Sequence, residues 1–343
     1  MIVGHLDPDS NSARAVAAAL DGTEHSLAWS VKTAGEALRR SQTQRIDVLL
    51  LSADVADLSV ADVTRQILAH GRCAIILLAD TTGLGISNVY DAMGAGAQDV
   101  VPPPRLNTQG RVTGADTLLA KLRIAGRLLG LSSGKIAMAA VPSAPPGGSM
   151  VLAIGASTGG PQALLTVLSS LPKPFPAAVL LVQHVDSEFS QGLANWLQEG
   201  SGMAVRLAHN GNTPEPGCAL LASSEDHLVL TSSGSLRYRP EPRELPHRPS
   251  VDVLFASLAE HGQGKGVAVL LTGMGRDGAE GMRKLRAAGW HTIAQDQATS
   301  VVYGMPKAAV QLGAACRVLA LPEIGPAISE QIRRTSGARH PER

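Results

Sequence analysis

Aromatic residues are scarce in this chain, at 3% of its 343 positions, so its cores must be built from Ala, Val, Leu and Ile. That composition favours helices packed closely on buried parallel strands. An excess of either charge is missing too: 30 Lys and Arg face 29 Asp and Glu, a formal net charge of +1. So even a balance excludes the basic footprint of a nucleic-acid binder or of a protein drawn to anionic membranes. Cysteine is limited to Cys73, Cys218 and Cys316, far apart and without a CxxC pair. Such spacing argues against a disulfide framework or a zinc site and fits a reducing compartment. Long apolar runs are lacking as well. Ala178 to Val182 and Val267 to Leu271 are far too short to cross a bilayer. The stretch from Met1 to Asp7 has neither a basic n-region nor a long apolar h-region, so no signal peptide is visible. The expectation is a cytoplasmic protein.

What is present is α/β alternation, with enough length for two domains. Up to about residue 128, strands are predicted at Ile2–Leu6, His25–Trp29, Ile46–Leu51, Cys73–Leu78 and Asp99–Val101. Helical patterns lie between them near 11–20, 33–42, 59–69, 86–95 and 115–129. Parallel strands need crossovers, so five such units imply a flavodoxin-like (βα)5 domain over 1–128. Residues 129–150 are rich in Pro, Gly, Ser and Ala and lack periodicity, which marks a linker. A second, doubly wound and mostly parallel domain is expected over 151–333, with a tail at 334–343. Its strands are predicted at 151–154, 178–182, 204–207, 218–222, 267–271, 291–295 and 317–320. Its helices are predicted at 161–171, 190–199, 251–260, 277–288, 305–311 and 323–333. The alternating segment His227 to Arg239, broken by Ser232-Ser233-Gly234, suggests a hairpin inserted in the sheet.

Chemistry concentrates where the first strand of the second domain runs into Gly155-Ala-Ser-Thr-Gly-Gly-Pro161. A Gly-rich turn from strand to helix lifts a side chain above the sheet and aims backbone N–H groups at whatever binds there. Three readings compete. A dinucleotide fingerprint wants a carboxylate at the end of the next strand, where this chain has Leu181-Val182-Gln183-His184. A nucleophile elbow matches Gly155-x-Ser157-x-Gly159, but an α/β-hydrolase then needs an acid followed by a C-terminal His. After Asp277 only His291, at a strand start, and His340, in the tail, remain. The third reading takes the partners in the order Ser157, His184, Asp277, each just beyond a strand end on one sheet edge. Taken alone, Asp277 reads as the N-cap of the helix that follows it.

Longer motifs then come into view. Residues 151–326 closely resemble the catalytic domain of the chemotaxis protein-glutamate methylesterases. The likeness rests on Gly155–Pro161, Gln183-His184, His247-Arg-Pro-Ser-Val-Asp-Val-Leu-Phe255 and Leu271-Thr-Gly-Met-Gly-Arg-Asp-Gly-Ala279. Thr292-Ile-Ala-Gln-Asp296 and Gly304-Met-Pro306 follow in the same order. The resemblance implies a hydrolase that removes methyl esters from glutamate side chains on the cytoplasmic helices of methyl-accepting chemoreceptors. Members often deamidate particular glutamines as well. It implies Ser157 as nucleophile, His184 as general base and then acid, and Asp277 as the orienting carboxylate. The backbone N–H groups of Thr158 and Met274 would be the oxyanion donors. An ester carbonyl needs an activated hydroxyl, a proton shuttle and such donors, and no cofactor or metal is expected. Two positions depart from the family's habit: Asp186 stands where a Pro is usual and Trp196 where an Arg is common. Both lie near the rim expected to face the receptor.

The same family carries an N-terminal receiver domain, and residues 1–104 resemble one that has lost its phosphorylation chemistry. Asp7 and Asp9 keep carboxylates after the first strand, where a receiver holds Mg²⁺, although such residues also serve as turn or N-cap carboxylates. The phosphoryl-acceptor position is Ser52, the hydroxyl position Ala79 and the lysine position Pro103. Asp54 and Asp57, beyond the strand end, are poor substitutes. Such a pseudo-receiver would dock partners, a chemotaxis-type histidine kinase or an adaptor among them, or constrain the active edge without phosphate. Two rival functions remain at this point: a small-molecule esterase on the same triad, and a scaffold that only binds receptors. Intact Ser157, His184 and Asp277 argue against the scaffold, and methanol release separates all three.

Overall fold

Every residue of Val48-Leu-Leu-Leu-Ser52 is buried, which only a strand covered on both faces permits. In the computed structural model it is β3 (Val48–Ser52) and lies at the centre of a five-stranded parallel sheet. Residues 1–337 are described, apart from 72, 81–85, 108, 110, 129–149 and 263–265. They form two compact units, Met1–Gly134 and Lys135–Arg343.

The first sheet also contains β1 (Ile2–Leu6), β2 (Ser26–Val31), β4 (Ala74–Leu78) and β5 (Asp99–Val101). Its order, β2-β1-β3-β4-β5, is that of a flavodoxin-like fold. Helices α1 (Ser10–Leu20), α2 (Ala34–Thr43), α3 (Val60–Ala69) and α4 (Ile86–Gly94) connect the strands, and α5 (Ala115–Leu128) follows. Asp9, Thr33 and Ser59 cap α1, α2 and α3 by accepting first-turn N–H groups, a contribution of about 1 kcal/mol each. A small antiparallel ribbon, β6 (Arg105–Leu106) with β7 (Val112–Thr113), was not expected. Two-residue strands after three prolines are too short to show an alternating pattern.

The second unit holds β8 (Val151–Ala156), β9 (Ala178–Gln183), β10 (Ala204–Leu207) and β11 (Cys218–Leu221). Beyond a separate hairpin, β12 (His227–Leu230) and β13 (Leu236–Arg239), come β14 (Val267–Leu270), β15 (His291–Gln295) and β16 (Arg317–Leu319). Seven of these strands form one parallel sheet ordered β10-β11-β9-β8-β14-β15-β16. The chain starts in the middle, at β8, builds outward through β9, then crosses to the other side at β14. Such a sheet has its switch point between β8 and β14, and ligands bind beyond the carboxyl ends of strands at such a point.

The hairpin corrects the sequence reading, because among the described residues β12 and β13 pair with each other and do not enter the sheet. Leu228, Leu230 and Leu236 turn instead into one core with Leu254 and Leu258 of α8 (Val251–His261). Burying each such side chain stabilises by roughly 1.5–3 kcal/mol, which fixes the ribbon against that helix. The remaining helices are α6 (Gly160–Ser169), α7 (Ser190–Ser201), α9 (Ala279–Ala287), α10 (Met305–Gln311) and α11 (Leu321–Gly337). Helix α11 runs four residues into the expected tail, and 338–343 lie outside the described residues. The expected linker lies outside them too, except Met150, which is buried and accepts the Ala178 N–H. No described helix is long and apolar enough to cross a membrane.

Candidate active site

Ser157 is the first residue beyond β8, and His184 the first beyond β9. Because Ala156 and Gln183 are register partners, the two residues stand level on neighbouring strand ends. The His184 N–H donates to the Ala156 carbonyl at 3.0 Å. Ser157 is tied on its other side to the β14 loop, donating its N–H to the Thr272 carbonyl at 3.0 Å. The turn that follows needs glycine: Gly159 has φ +74°, in the left-handed region, and begins α6. Gly273 is needed for space, since a Cβ there would lie 2.8 Å from the Ser157 Cβ.

Asp277 reaches this edge from the loop after β14. Its Oδ2 accepts from His184 Nε2 at 2.8 Å, and both side chains are about nine-tenths buried. Further donors surround the carboxylate. Val251 N–H reaches Oδ2 at 2.7 Å, while Ser250 Oγ at 2.7 Å, Asp252 N–H at 3.0 Å and Gly278 N–H at 3.0 Å reach Oδ1. Asp277 therefore sits against the first turn of α8 and not, as its sequence position suggested, as the cap of the helix after it. That helix, α9, starts at Ala279 behind Gly278, which offers no side chain. Burial on its own would raise the Asp277 pKa. The hydrogen bond and charge of His184, then the Ser250 and Asp252 donors, outweigh it and hold the group at about 2.

With Nε2–H committed to Asp277, the other ring nitrogen of His184 carries the free lone pair. Nδ1 is buried and has no hydrogen-bond partner. The His247 ring stacks on His184 with centroids 4.1 Å apart and planes within 12°. The structure thus joins His184 to Asp277 and sets Ser157 beside them on the adjoining strand end, but it draws no hydrogen bond from Ser157 Oγ to the ring. Hydrogen bonds of this kind are often open before substrate arrives. Among the described residues, the N–H groups of Thr158 and Met274 find no protein acceptor. Two loops present them, and these are stitched together by Thr272 Oγ1, which donates to the Thr158 carbonyl at 2.9 Å.

Several supporting residues carried no assigned role in the sequence. Gln183 Nε2 donates to the Ser157 carbonyl at 2.8 Å, and Gln295 Oε1 accepts the Thr272 N–H at 2.8 Å. Ser250 and His247 complete the surroundings of the His–Asp pair. All four fall inside the long motifs already noticed, which was the available signal. Of the two departures from the family's habit, Asp186 accepts the Glu188 N–H and caps the 3-10 turn Ser187–Phe189. Trp196 lies on α7.

In the first unit, Asp7, Asp9, Ser52 and Pro103 line one cleft of about 640 Å³ at the carboxyl ends of the strands, and Ala79 follows β4 directly. Asp9 is occupied as the α1 cap, and Asp7 accepts the Asp9 N–H at 2.9 Å. Arg105 crosses the cleft to pair with Asp80. Asp57 is already bound to the Ala34 and Gly35 N–H groups at the start of α2. Among the described residues, no three His, Cys, Asp or Glu side chains are grouped to hold a metal ion.

Comparison with known proteins gives the family. The family model described as CheB methylesterase matches residues 152–328. A protein-glutamate methylesterase/protein-glutamine glutaminase of Cupriavidus metallidurans is 46% identical over 322 residues, covering 92% of this chain and 95% of the relative. The chain belongs to the CheB methylesterase family. A CheB relative of the same description from Burkholderia lata is 46% identical over 302 residues, 88% of this chain and 90% of its own. The crystal structure of the Thermotoga maritima CheB methylesterase catalytic domain superposes with a TM-score of 0.52 at 36% identity. It covers 54% of this chain and 99% of that one, so the CheB catalytic fold is held in the second unit.

Proposed function

We propose that this chain hydrolyses methyl esters of glutamate side chains on methyl-accepting chemoreceptors, and the amides of particular receptor glutamines, with Ser157, His184 and Asp277 as its machinery. The observation that carries the reading is the His184–Asp277 pair at 2.8 Å, with Nδ1 unpartnered, beside the strand end that bears Ser157.

Ser157 Oγ attacks the ester carbonyl while its proton passes to His184 Nδ1. The carbonyl oxygen becomes an oxyanion, for which the Thr158 and Met274 N–H groups are the donors. Asp277, ionised throughout, holds the ring's Nε2–H and stabilises the imidazolium. Collapse of the tetrahedral adduct breaks the bond to the methoxy oxygen, which takes the ring's proton and leaves as methanol. Water then attacks the acyl-Ser157, giving its proton to the same nitrogen, and the glutamate carboxylate leaves with Ser157 restored. With a glutamine substrate the leaving group is ammonia. Receptor methylation sites are cytoplasmic in this reading, and the enzyme works there.

For the first unit, the reading is a receiver-like domain that engages a chemotaxis-type histidine kinase or adaptor by its surface, without accepting a phosphoryl group. Ser52, Ala79 and Pro103 at the three decisive strand ends support it, as does the commitment of Asp9 and Asp57 to helix starts.

Methanol release from a methylated receptor, run beside a soluble acyl ester, tests the activity. Ser157→Ala should melt like the wild type and lose about 10⁶ in kcat, as a comparable triad does without its nucleophile. A variant keeping a tenth of the activity would overturn the assignment. Rapid turnover of the soluble ester with none of the receptor would point to a small-molecule esterase.

A further inference from the structure

We propose that Ser250 is a positioning residue for hydrolysis: its hydroxyl holds the Asp277 carboxylate in the one orientation that keeps Oδ2 aimed at His184. The inference rests on the serine-hydrolase reading given above and assigns a role outside the triad.

Ser250 is buried at the start of α8, and its hydroxyl is used in both directions. The oxygen accepts the Val253 N–H at 3.4 Å, as a helix cap does. Its hydrogen goes to Asp277 Oδ1 at 2.7 Å, the shortest contact that oxygen receives. A residue that served only as a cap would need its lone pair and nothing more. Here the proton is spent on the carboxylate, which has the depressed pKa of about 2 already described.

The hydroxyl is itself held from behind. Ser250 N–H donates to His227 Nδ1 at 3.1 Å, and His227 Nε2 donates to the Pro242 carbonyl at 3.0 Å. That arrangement sets the His227 tautomer and locks the Ser250 backbone to the buried ribbon strand β12. A continuous chain then runs from Pro242 through His227, Ser250 and Asp277 to His184. Rotation of the Asp277 carboxylate would break the Oδ1 contacts with Ser250, Asp252 and Gly278 together, so Oδ2 keeps its lone pair on the ring.

Removing the hydroxyl costs Oδ1 its closest donor, so the carboxylate turns more freely and meets the ring less often in the productive geometry. The expected effect on kcat is about tenfold, the scale of one lost hydrogen bond to a charged group.

Three variants of the full chain decide the matter, assayed by methanol release from methylated receptor. Ser250→Ala should lower kcat about tenfold and leave KM unchanged. Ser250→Gly should do the same while keeping α8 intact, because glycine at an N-cap position costs only a few tenths of a kcal/mol. Ser250→Thr, which restores the hydroxyl, should recover the wild-type kcat. If Ser250→Ala fails to fold, Ser250→Gly carries the test. Wild-type kcat in Ser250→Gly would overturn the inference, provided Ser157→Ala is inactive beside it. An active Ser157→Ala would instead overturn the triad reading, and this inference with it.

Discussion

The carboxylate of Asp277 is the residue on which the site turns, and its surroundings say why an isosteric amide should fail there. In Asp277→Asn, Oδ1 still accepts from Ser250, Asp252 and Gly278. The new NH₂ replaces Oδ2 and meets two donors, Val251 N–H and His184 Nε2–H. Donor facing donor drives the ring to the other tautomer, with its proton on Nδ1, where the base should be. Turnover should fall by something on the order of 10⁴, as for the same exchange in a serine protease triad, while the melting temperature stays within a few degrees. A large loss of melting temperature alongside the lost rate would make Asp277 first of all a clamp for α8; a loss under tenfold would remove its orienting role. At this scale the sequence was legible for the residues whose chemistry is distinctive, a Ser, a His and an Asp at three strand ends. The residues that hold them were not. Ser250 and His247 carry no assigned role until the fold brings them against Asp277 and His184.

At the scale of elements, β1 carries a polar group through the first core. His5 is fully buried on it, with Nδ1 2.9 Å from Ser30 Oγ on β2, its register partner. Burial pushes its pKa down from 6.5 to about 4. The unfolded chain therefore binds this proton first as pH falls. The stability that the neutral ring confers is complete above about pH 6.5 and drains away between there and pH 4, about 3 kcal/mol in all. Asp7, whose pKa burial raises, works in the opposite sense nearby, so the comparison must be between proteins. Hydrogen exchange of the β1 and β2 amides, corrected for intrinsic rates, should lose protection on acidification in the wild type and lose less in His5→Gln. Equal acid sensitivity in both would show that His5 does not control this strand. The elements themselves were readable because the central parallel strands, buried on both faces, are short apolar runs, and α1, α2, α3 and α8 begin at capping side chains. The hairpin at His227–Arg239 was recognised and misplaced, since alternation reveals that two strands pair and not which sheet they join. Ribbon β6–β7 was missed for want of length.

Across the whole molecule the same device appears twice: a parallel sheet presents short loops at its carboxyl edge, and the residues there decide what the edge can do. In the second unit the edge carries Ser157, His184 and Asp277. In the first it carries Asp7, Asp9, Ser52, Ala79 and Pro103, and on the reading proposed above Ser52 offers no acceptor carboxylate, Ala79 no hydroxyl and Pro103 no cation. A phosphoryl group brings about 1.5–2 negative charges, and those must be met by a metal and a lysine for the closed state to gain over the open one. A ligand moves an equilibrium only by its differential affinity for the two states. Mg²⁺ with acetyl phosphate or beryllofluoride should therefore neither label residues 1–128 nor change the rate of methanol release. Ser52→Asp should not restore switching, because Pro103 still supplies no cation and Ala79 no hydroxyl, while Arg105 remains engaged with Asp80 across the cleft. Deleting residues 1–128 then separates the ways an unphosphorylated first unit can act. A raised basal rate on a soluble ester means that it obstructs the Ser157 edge, whereas a loss confined to receptors means that it recruits. Phosphoryl-dependent activation of the unmutated chain, abolished by changing Asp54 or Asp57, would mean that the first unit has moved its acceptor rather than lost it.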